Sequence, residues 1–193
     1  MGGGLAIGGF LICGVIVAVL LVGGIWLIGV YNGLARLRVA AQAAWSGIDV
    51  ELKRRHDLIP NLVETVKGYA GHERGTLDAV ISARAKAVSA GPIDAKIAAE
   101  GELTQTLGRL MAVAEAYPDL KANTNFLQLQ GELAATEDRI GQSRVGYNNA
   151  AGGFNTAIVV FPSNLVAGTF GFTKMAFFEV DNPAERSAPQ VKF

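Results

Sequence analysis

The sequence is poor in the residues that build most catalytic and metal centres. It contains one cysteine and two histidines in 193 residues, and its 17 Lys and Arg balance 17 Asp and Glu. One cysteine excludes a disulfide framework and a cysteine-based zinc cluster. Zero net charge argues against a nucleic-acid binder, whose affinity depends largely on cations that neutralise phosphates. Nucleophile-elbow and phosphate-loop motifs are missing as well. We therefore expect no catalytic residue, no cofactor, no metal and no nucleic-acid partner.

Charge is missing altogether from the first 35 residues. Within them, residues 5–30 form an apolar run longer than the roughly 20 residues that an α-helix needs to cross a bilayer. The absence of a basic n-region argues against a cleaved signal peptide. We predict a transmembrane anchor at residues 1–32. Because Lys and Arg first occur after this run, we expect a single-pass membrane protein with its N-terminus outside and its bundle in the cytoplasm.

The remainder of the chain has apolar residues at helical spacing. It predicts helices at residues 34–70, 76–90, 94–117 and 123–161, with a bend at Pro60 and stops at Gly91-Pro92 and Pro118. Short connections favour antiparallel neighbours. The expected fold is all-α: a transmembrane helix that continues into an up-and-down antiparallel four-helix bundle, residues 33–162, with two long and two short helices. An apolar and aromatic segment, residues 163–193, follows.

The fourth helix has the most regular pattern, with alternating three- and four-residue spacing typical of a bundle or coiled-coil seam. We interpret it as a core stripe. Its members are Phe126, Leu129, Leu133, Thr136, Ile140, Ser143, Tyr147, Ala150, Phe154, Ala157 and Phe161.

The apolar C-terminal segment is expected near the membrane, because four antiparallel helices bring the end of the fourth back toward the bilayer. Its aromatic residues are interaction candidates that enter the membrane interface or pack between subunits. The alternative is an internal cap on the bundle. The candidates are Phe170, Phe172, Phe177 and Phe178.

A charged band interrupts the first helix at residues 49–57, where seven of nine residues are charged or His. In one interpretation it is a solvated face whose charges pair at i and i+4, as Glu51 with Arg55 and Lys53 with Asp57. In the other it is a recognition surface. The interaction candidates are Lys53, Arg54, Arg55, His56 and Asp57.

Histidine chemistry is the remaining alternative. His56 and Asp57 are adjacent and point about 100° apart on a helix, which suits a base and its orienting group poorly. A metal site would need His56, His72 and Glu73 to converge across a turn. A hydrolase that uses His56 or His72 is therefore the least favoured hypothesis.

Several long motifs resemble the LemA family. They are DVELKRRHDLIPNLVETVKGYAGHE at residues 49–73, AYPDLKANTNFLQLQGELAATEDRI at 116–140 and FPSNLVAG at 161–168. The resemblance implies a single-pass bacterial membrane protein with a helical bundle and no established enzyme activity. It also implies links to membrane organisation, including magnetosome formation, and to neighbouring membrane metalloproteases. One departure is the glycine content of the fourth helix, at Gly131, Gly141 and Gly146, which permits close packing or is neutral.

Two functional hypotheses follow from these features. The first is a non-catalytic, membrane-anchored helical scaffold that forms a homo-oligomer and organises the lipid bilayer or membrane proteins. The second is an adaptor that regulates a membrane protease or a signalling protein through the charged band.

Overall fold

The computed structural model describes residues 3–179, which are helical throughout except for turns and a C-terminal extended segment. No strand is found in this range. The all-α prediction of an anchor helix that continues into a helical bundle is confirmed. The helices are α1 (Gly3–Lys67), α2 (Arg74–Ser89), α3 (Ile93–Glu115), α4 (Pro118–Lys121), α5 (Thr124–Ala157) and α6 (Ser163–Thr169).

The predicted fourth helix ends four residues early. α5 stops at Ala157, and the expected extension to Phe161 is wrong. Three consecutive β-branched residues follow, and Pro162, which cannot donate a backbone hydrogen bond, comes two residues after the last of them. Continuation of the helix is therefore unfavourable. The chain turns and begins the short helix α6, which the sequence pattern did not predict. Phe161 is therefore not a core residue but is 79% exposed.

The described residues divide into two compact units. The bundle unit contains residues 43–148 and 176–179, and the anchor unit contains residues 3–42 and 149–175. The core of the bundle unit receives side chains from α1 to α5, including Leu62, Val80, Leu103, Leu120 and Phe126. Burial of large apolar side chains at about 25 cal/mol per Å² provides its main stabilisation.

Pro60 lies inside α1, which is helical on both sides of it. Proline has no N–H, so the carbonyl of His56 loses its usual i+4 donor. The Nε of Arg84 on α2 donates to that carbonyl at 2.7 Å. A side chain from a neighbouring helix thus satisfies the group that proline leaves open.

The anchor unit has a smaller core, in which the end of α5 and helix α6 pack against α1. Its buried residues are Leu34, Phe154, Ile158, Val166 and Ala167, with Val30, Phe172 and Met175 beside them. The ring of Tyr31 contacts Phe170 and Phe172 at centroid distances of 4.9 and 5.6 Å. Helix α6 and the residues that follow it thus pack against α1 where its apolar run ends.

α1 is the one helix in residues 3–179 that is long and apolar enough to cross a membrane, and its most apolar window has no buried residue. Its described side chains are apolar and exposed between Val15 and Ile28. Exposed apolar side chains around a whole helix are typical of a lipid environment.

Candidate functional site

The charged band divides between the surface and the interior of the bundle unit. Lys53, Arg54 and Asp57 are exposed, whereas Arg55 is 3% and His56 9% exposed. The interpretation of the band as a wholly solvated face is wrong for these two residues. Arg55 lies three residues after Leu52 and four before Ile59, so it shares the buried stripe of α1.

Arg55 connects three helices through its guanidinium group. Its Nη1 donates to Oγ1 of Thr104 on α3 at 3.1 Å and to Oε2 of Glu137 on α5 at 2.8 Å. Its Nη2 donates to Oε2 of Glu100 on α3. The planar fork of arginine suits such simultaneous contacts with carboxylates. Among the buried side-chain nitrogen and oxygen atoms of the described residues, Arg55 Nε is the one that has no hydrogen-bond partner.

His56 completes the cluster from the adjacent position on α1. Its Nε2 lies 2.7 Å from Oε1 of Glu100, which is 2% exposed. Burial by itself would raise the pKa of Glu100. The hydrogen bond from His56 and the charge of Arg55 outweigh burial and hold the pKa of this carboxyl below its ordinary value. The carboxylate therefore stays ionised inside the bundle.

This Arg55–Glu100–His56 cluster suits structural rather than acid–base work. Both carboxylate oxygens of Glu100 already have partners, Arg55 and His56. A general base needs a free oxygen and a pKa close to the working pH. A buried ion pair instead fixes the register of the helices that supply it, because an unpaired buried charge is costly.

The predicted i,i+4 pair of Glu51 with Arg55 is wrong, because Arg55 binds Glu100 and Glu137 instead. Glu51 accepts from Arg139 of α5 at 3.1 Å and lies 3.9 Å from Arg54. The exposed part of the band borders a groove of about 590 Å³ between α1 and α5. Lys53, Arg54 and Asp57 line one wall of this α1–α5 groove, and Arg139 lines the other.

A larger groove of about 1250 Å³ lies between α3 and α5 in the bundle unit. The buried pair Arg55 and Glu100 reaches its floor, and Gly101 and Gly141 lie on its opposite walls. A Cβ added at either glycine would meet no atom within 4 Å. Close packing inside the chain therefore does not require these glycines.

The four aromatic candidates lie in different environments. Phe178 is 7% exposed, and its ring packs 5.8 Å from that of Trp45. Phe172 is half-buried in the core of the anchor unit. Phe170 and Phe177 are 50% and 44% exposed.

The described residues contain no candidate metal site. No group of three or more His, Cys, Asp or Glu side chains in residues 3–179 could hold a metal ion. His56 binds Glu100, and His72 lies exposed in the turn before α2.

The partners of Arg55 were missed by sequence reasoning, although one signal was present. Glu100 lies three residues after Ile97 and three before Leu103, in phase with the apolar stripe of α3. A carboxylate at such a position, together with an arginine at an equivalent position of α1, indicates a buried pair. Glu137 and Thr104 carry no comparable signal.

Fold and site together define a membrane-associated helical-bundle protein whose charged centre is a structural ion cluster. The chain matches the model of the LemA family over residues 44–193 and belongs to that family. Protein LemA of Metamycoplasma hominis is 30% identical over 157 residues, which cover 79% of this chain and 70% of that protein. Magnetosome protein MamQ 2 of Paramagnetospirillum magneticum and magnetosome protein MamQ of Magnetospirillum gryphiswaldense are 29% and 28% identical over 180 residues. The chain covers 66% of the length of these two proteins.

Proposed function

We propose that this protein is a non-catalytic, membrane-anchored scaffold that self-associates and organises membrane or membrane proteins. The names of two relatives associate them with magnetosomes, which agrees with a role in membrane organisation. The proposal places the protein in the bacterial inner membrane, with the bundle unit in the cytoplasm.

A second apolar stripe on α2 is the observation that supports self-association. The first stripe, which includes Leu77 and Val80, faces the core. The second consists of Ile81, Ala85 and Val88, which follow i, i+4, i+7 spacing and are all exposed. Ile81 and Val88 are 51% and 56% exposed. A helix with one packed and one open apolar stripe fits against a second copy of itself in a two-fold interface.

Mass measurement of the full-length protein in detergent tests this proposal. The wild type should be an oligomer, and Ile81→Gln with Val88→Gln should shift it toward the monomer. Val50→Gln with Leu127→Gln is the matched control, because it replaces two exposed apolar residues elsewhere in the bundle unit. A monomeric wild type, or equal loss of mass in both variants, would contradict the α2 interface.

A separate observation, the α1–α5 groove with charged walls, supports the adaptor hypothesis. Cations at Lys53 and Arg54 and the carboxylate of Asp57 could recognise a complementary segment of a membrane protease or signalling protein. Under this hypothesis Lys53→Gln with Arg54→Gln abolishes complex formation with one defined partner and leaves self-association unchanged. Under the scaffold proposal the same variant retains both the oligomer and its membrane location.

A further inference from the structure

The anchor unit carries charge of one sign only. Its described residues include three charged side chains, Arg36, Arg38 and Lys174, and no Asp or Glu. All three are exposed, and none takes part in an ion pair among the described residues. The whole chain has as many acidic as basic residues, so the cations of the anchor unit are locally unbalanced.

The same unit exposes large apolar side chains around the turn between α5 and α6. The core of the unit uses Ile158 and Val166, and the residues around them point outward. The exposed residues, with their exposed fractions, are Phe161 at 79%, Leu165 at 60%, Val159 at 52% and Val160 at 46%. We call these four residues the apolar tip. Exposed apolar patches on soluble surfaces of this kind mark interaction sites.

Contacts inside the anchor unit place the tip near the end of the membrane span. Helix α6 and the residues after it pack against α1 at Val30, Tyr31 and Leu34. On α1 these positions lie between the uninterrupted run of exposed apolar residues that ends at Ile28 and the first cation, Arg36. A helix that leaves a bilayer passes the headgroup region at such a boundary.

We propose that the anchor unit binds anionic phospholipid, with its apolar tip inserted into the interface and Arg36, Arg38 and Lys174 on the phosphate headgroups. Apolar side chains that enter the acyl boundary beside cations at headgroup level are the two components of interfacial membrane binding. Each cation near an anionic surface contributes about a fivefold gain in affinity. The inference concerns a different surface from the α2 stripe and holds whether or not the chain self-associates.

Insertion of the tip is measured by spin labels on the full-length protein in phosphatidylglycerol vesicles. In a Cys13→Ser background, labels are placed by Phe161→Cys or Leu165→Cys, with Leu127→Cys on α5 as the matched exposed control. Labels on the tip should collide with oxygen, which concentrates in the bilayer, more than with a water-soluble nickel chelate. The control should show the reverse. Tip labels that behave like the control, or that neither reagent reaches, would overturn insertion into lipid.

Headgroup selectivity is measured by native mass spectrometry with phosphatidylglycerol against phosphatidylcholine. The variant Arg36→Gln, Arg38→Gln, Lys174→Gln should lose about fivefold of the preference for phosphatidylglycerol per cation removed. Its control, Lys53→Gln, Arg74→Gln, Arg109→Gln, removes three exposed cations of the bundle unit and should retain it. Added salt should weaken the wild-type preference. Equal preference in both triple variants would overturn the assignment of anionic lipid to these residues.

Discussion

The bundle unit and the anchor unit stabilise their interiors in different ways. Arg55 and Glu100 form a buried ion pair in the bundle unit, whereas the described anchor unit has no acidic residue with which a cation could pair. Its interior is apolar and aromatic, as in the edge-to-face contact of Phe154 with Phe172. A buried charge cluster is compatible with a unit whose surface is in water. An apolar interior suits a unit that begins in lipid.

In each unit, an asparagine of α5 binds the backbone of the extended segment after α6. In the anchor unit Asn155 donates to the carbonyl of Met175 and accepts from its N–H, each at 2.8 Å. In the bundle unit Asn148 does the same with Phe178, at 3.1 and 2.8 Å. Each side-chain amide replaces the backbone partner that a strand would supply.

Breaking the ion cluster should have the largest effect on stability. Glu100→Gln leaves the buried Arg55 with the half-exposed carboxylate of Glu137 as its remaining ionic partner, so the loss should approach about 3 kcal/mol, the lower end of the range for breaking a buried ion pair. Thermal unfolding of the full-length protein in detergent, followed by helical circular dichroism, measures the loss. The control is Glu102→Gln on the same helix, whose exposed pair with Lys86 contributes only about 0 to 1 kcal/mol.

A double variant separates the ion pair from packing. Arg55→Met with Glu100→Met removes both charges together and should recover much of the stability that Glu100→Gln loses, because neither partner is left buried and unpaired. No recovery would indicate that the fold depends on the hydrogen bonds to Thr104, Glu137 and His56 instead.

The ion cluster also predicts acid sensitivity of the bundle unit. The pKa of Glu100 lies below its ordinary value of 4.5 in the folded protein. The resulting stabilisation is complete above that ordinary value and is lost as the pH falls through the lower folded-state pKa. The melting temperature of the wild type should therefore fall below about pH 4.5, and that of Glu100→Gln should fall less. Equal acid dependence in both proteins would assign the effect to other carboxyl groups.

The two asparagines allow a local test of the division into units. Asn155→Ala should raise amide hydrogen exchange at Met175, and Asn148→Ala at Phe178. Loss of a partner for a part-buried backbone group costs about 1 to 3 kcal/mol, so exchange should rise about 5- to 150-fold. NMR on the protein in micelles resolves the two amides. If either variant accelerates hydrogen exchange at both amides equally, the extended segment opens as one cooperative unit. The two asparagines would then not act separately in the two units.

The sequence predicted most of the fold because apolar spacing reports directly on helical packing. Thus Phe126, Leu133 and Phe154 of the predicted core stripe are buried. Composition was a poor guide to the charged band, where Arg55 lies in the core beside exposed Arg54. Only the phase of each residue relative to the apolar stripe separates these two arginines. The pairing with Glu137 depends on how α1 and α5 meet in space, which no local pattern encodes.

Substitutions of the glycines of α5 should have the smallest effect. They test whether a second copy of the chain packs on the bundle unit at a surface other than α2. Gly131 and Gly141 both have open space where a Cβ would lie, so alanine should stabilise the isolated helix by about 0.5 to 1 kcal/mol at each position. Only Gly141 lines the α3–α5 groove. With that groove empty in the oligomer, Gly131→Ala and Gly141→Ala should raise the melting temperature equally and leave the mass in detergent unchanged. Loss of oligomer in Gly141→Ala alone would place a neighbouring copy in the groove, because a Cβ would then meet atoms that a single chain does not supply.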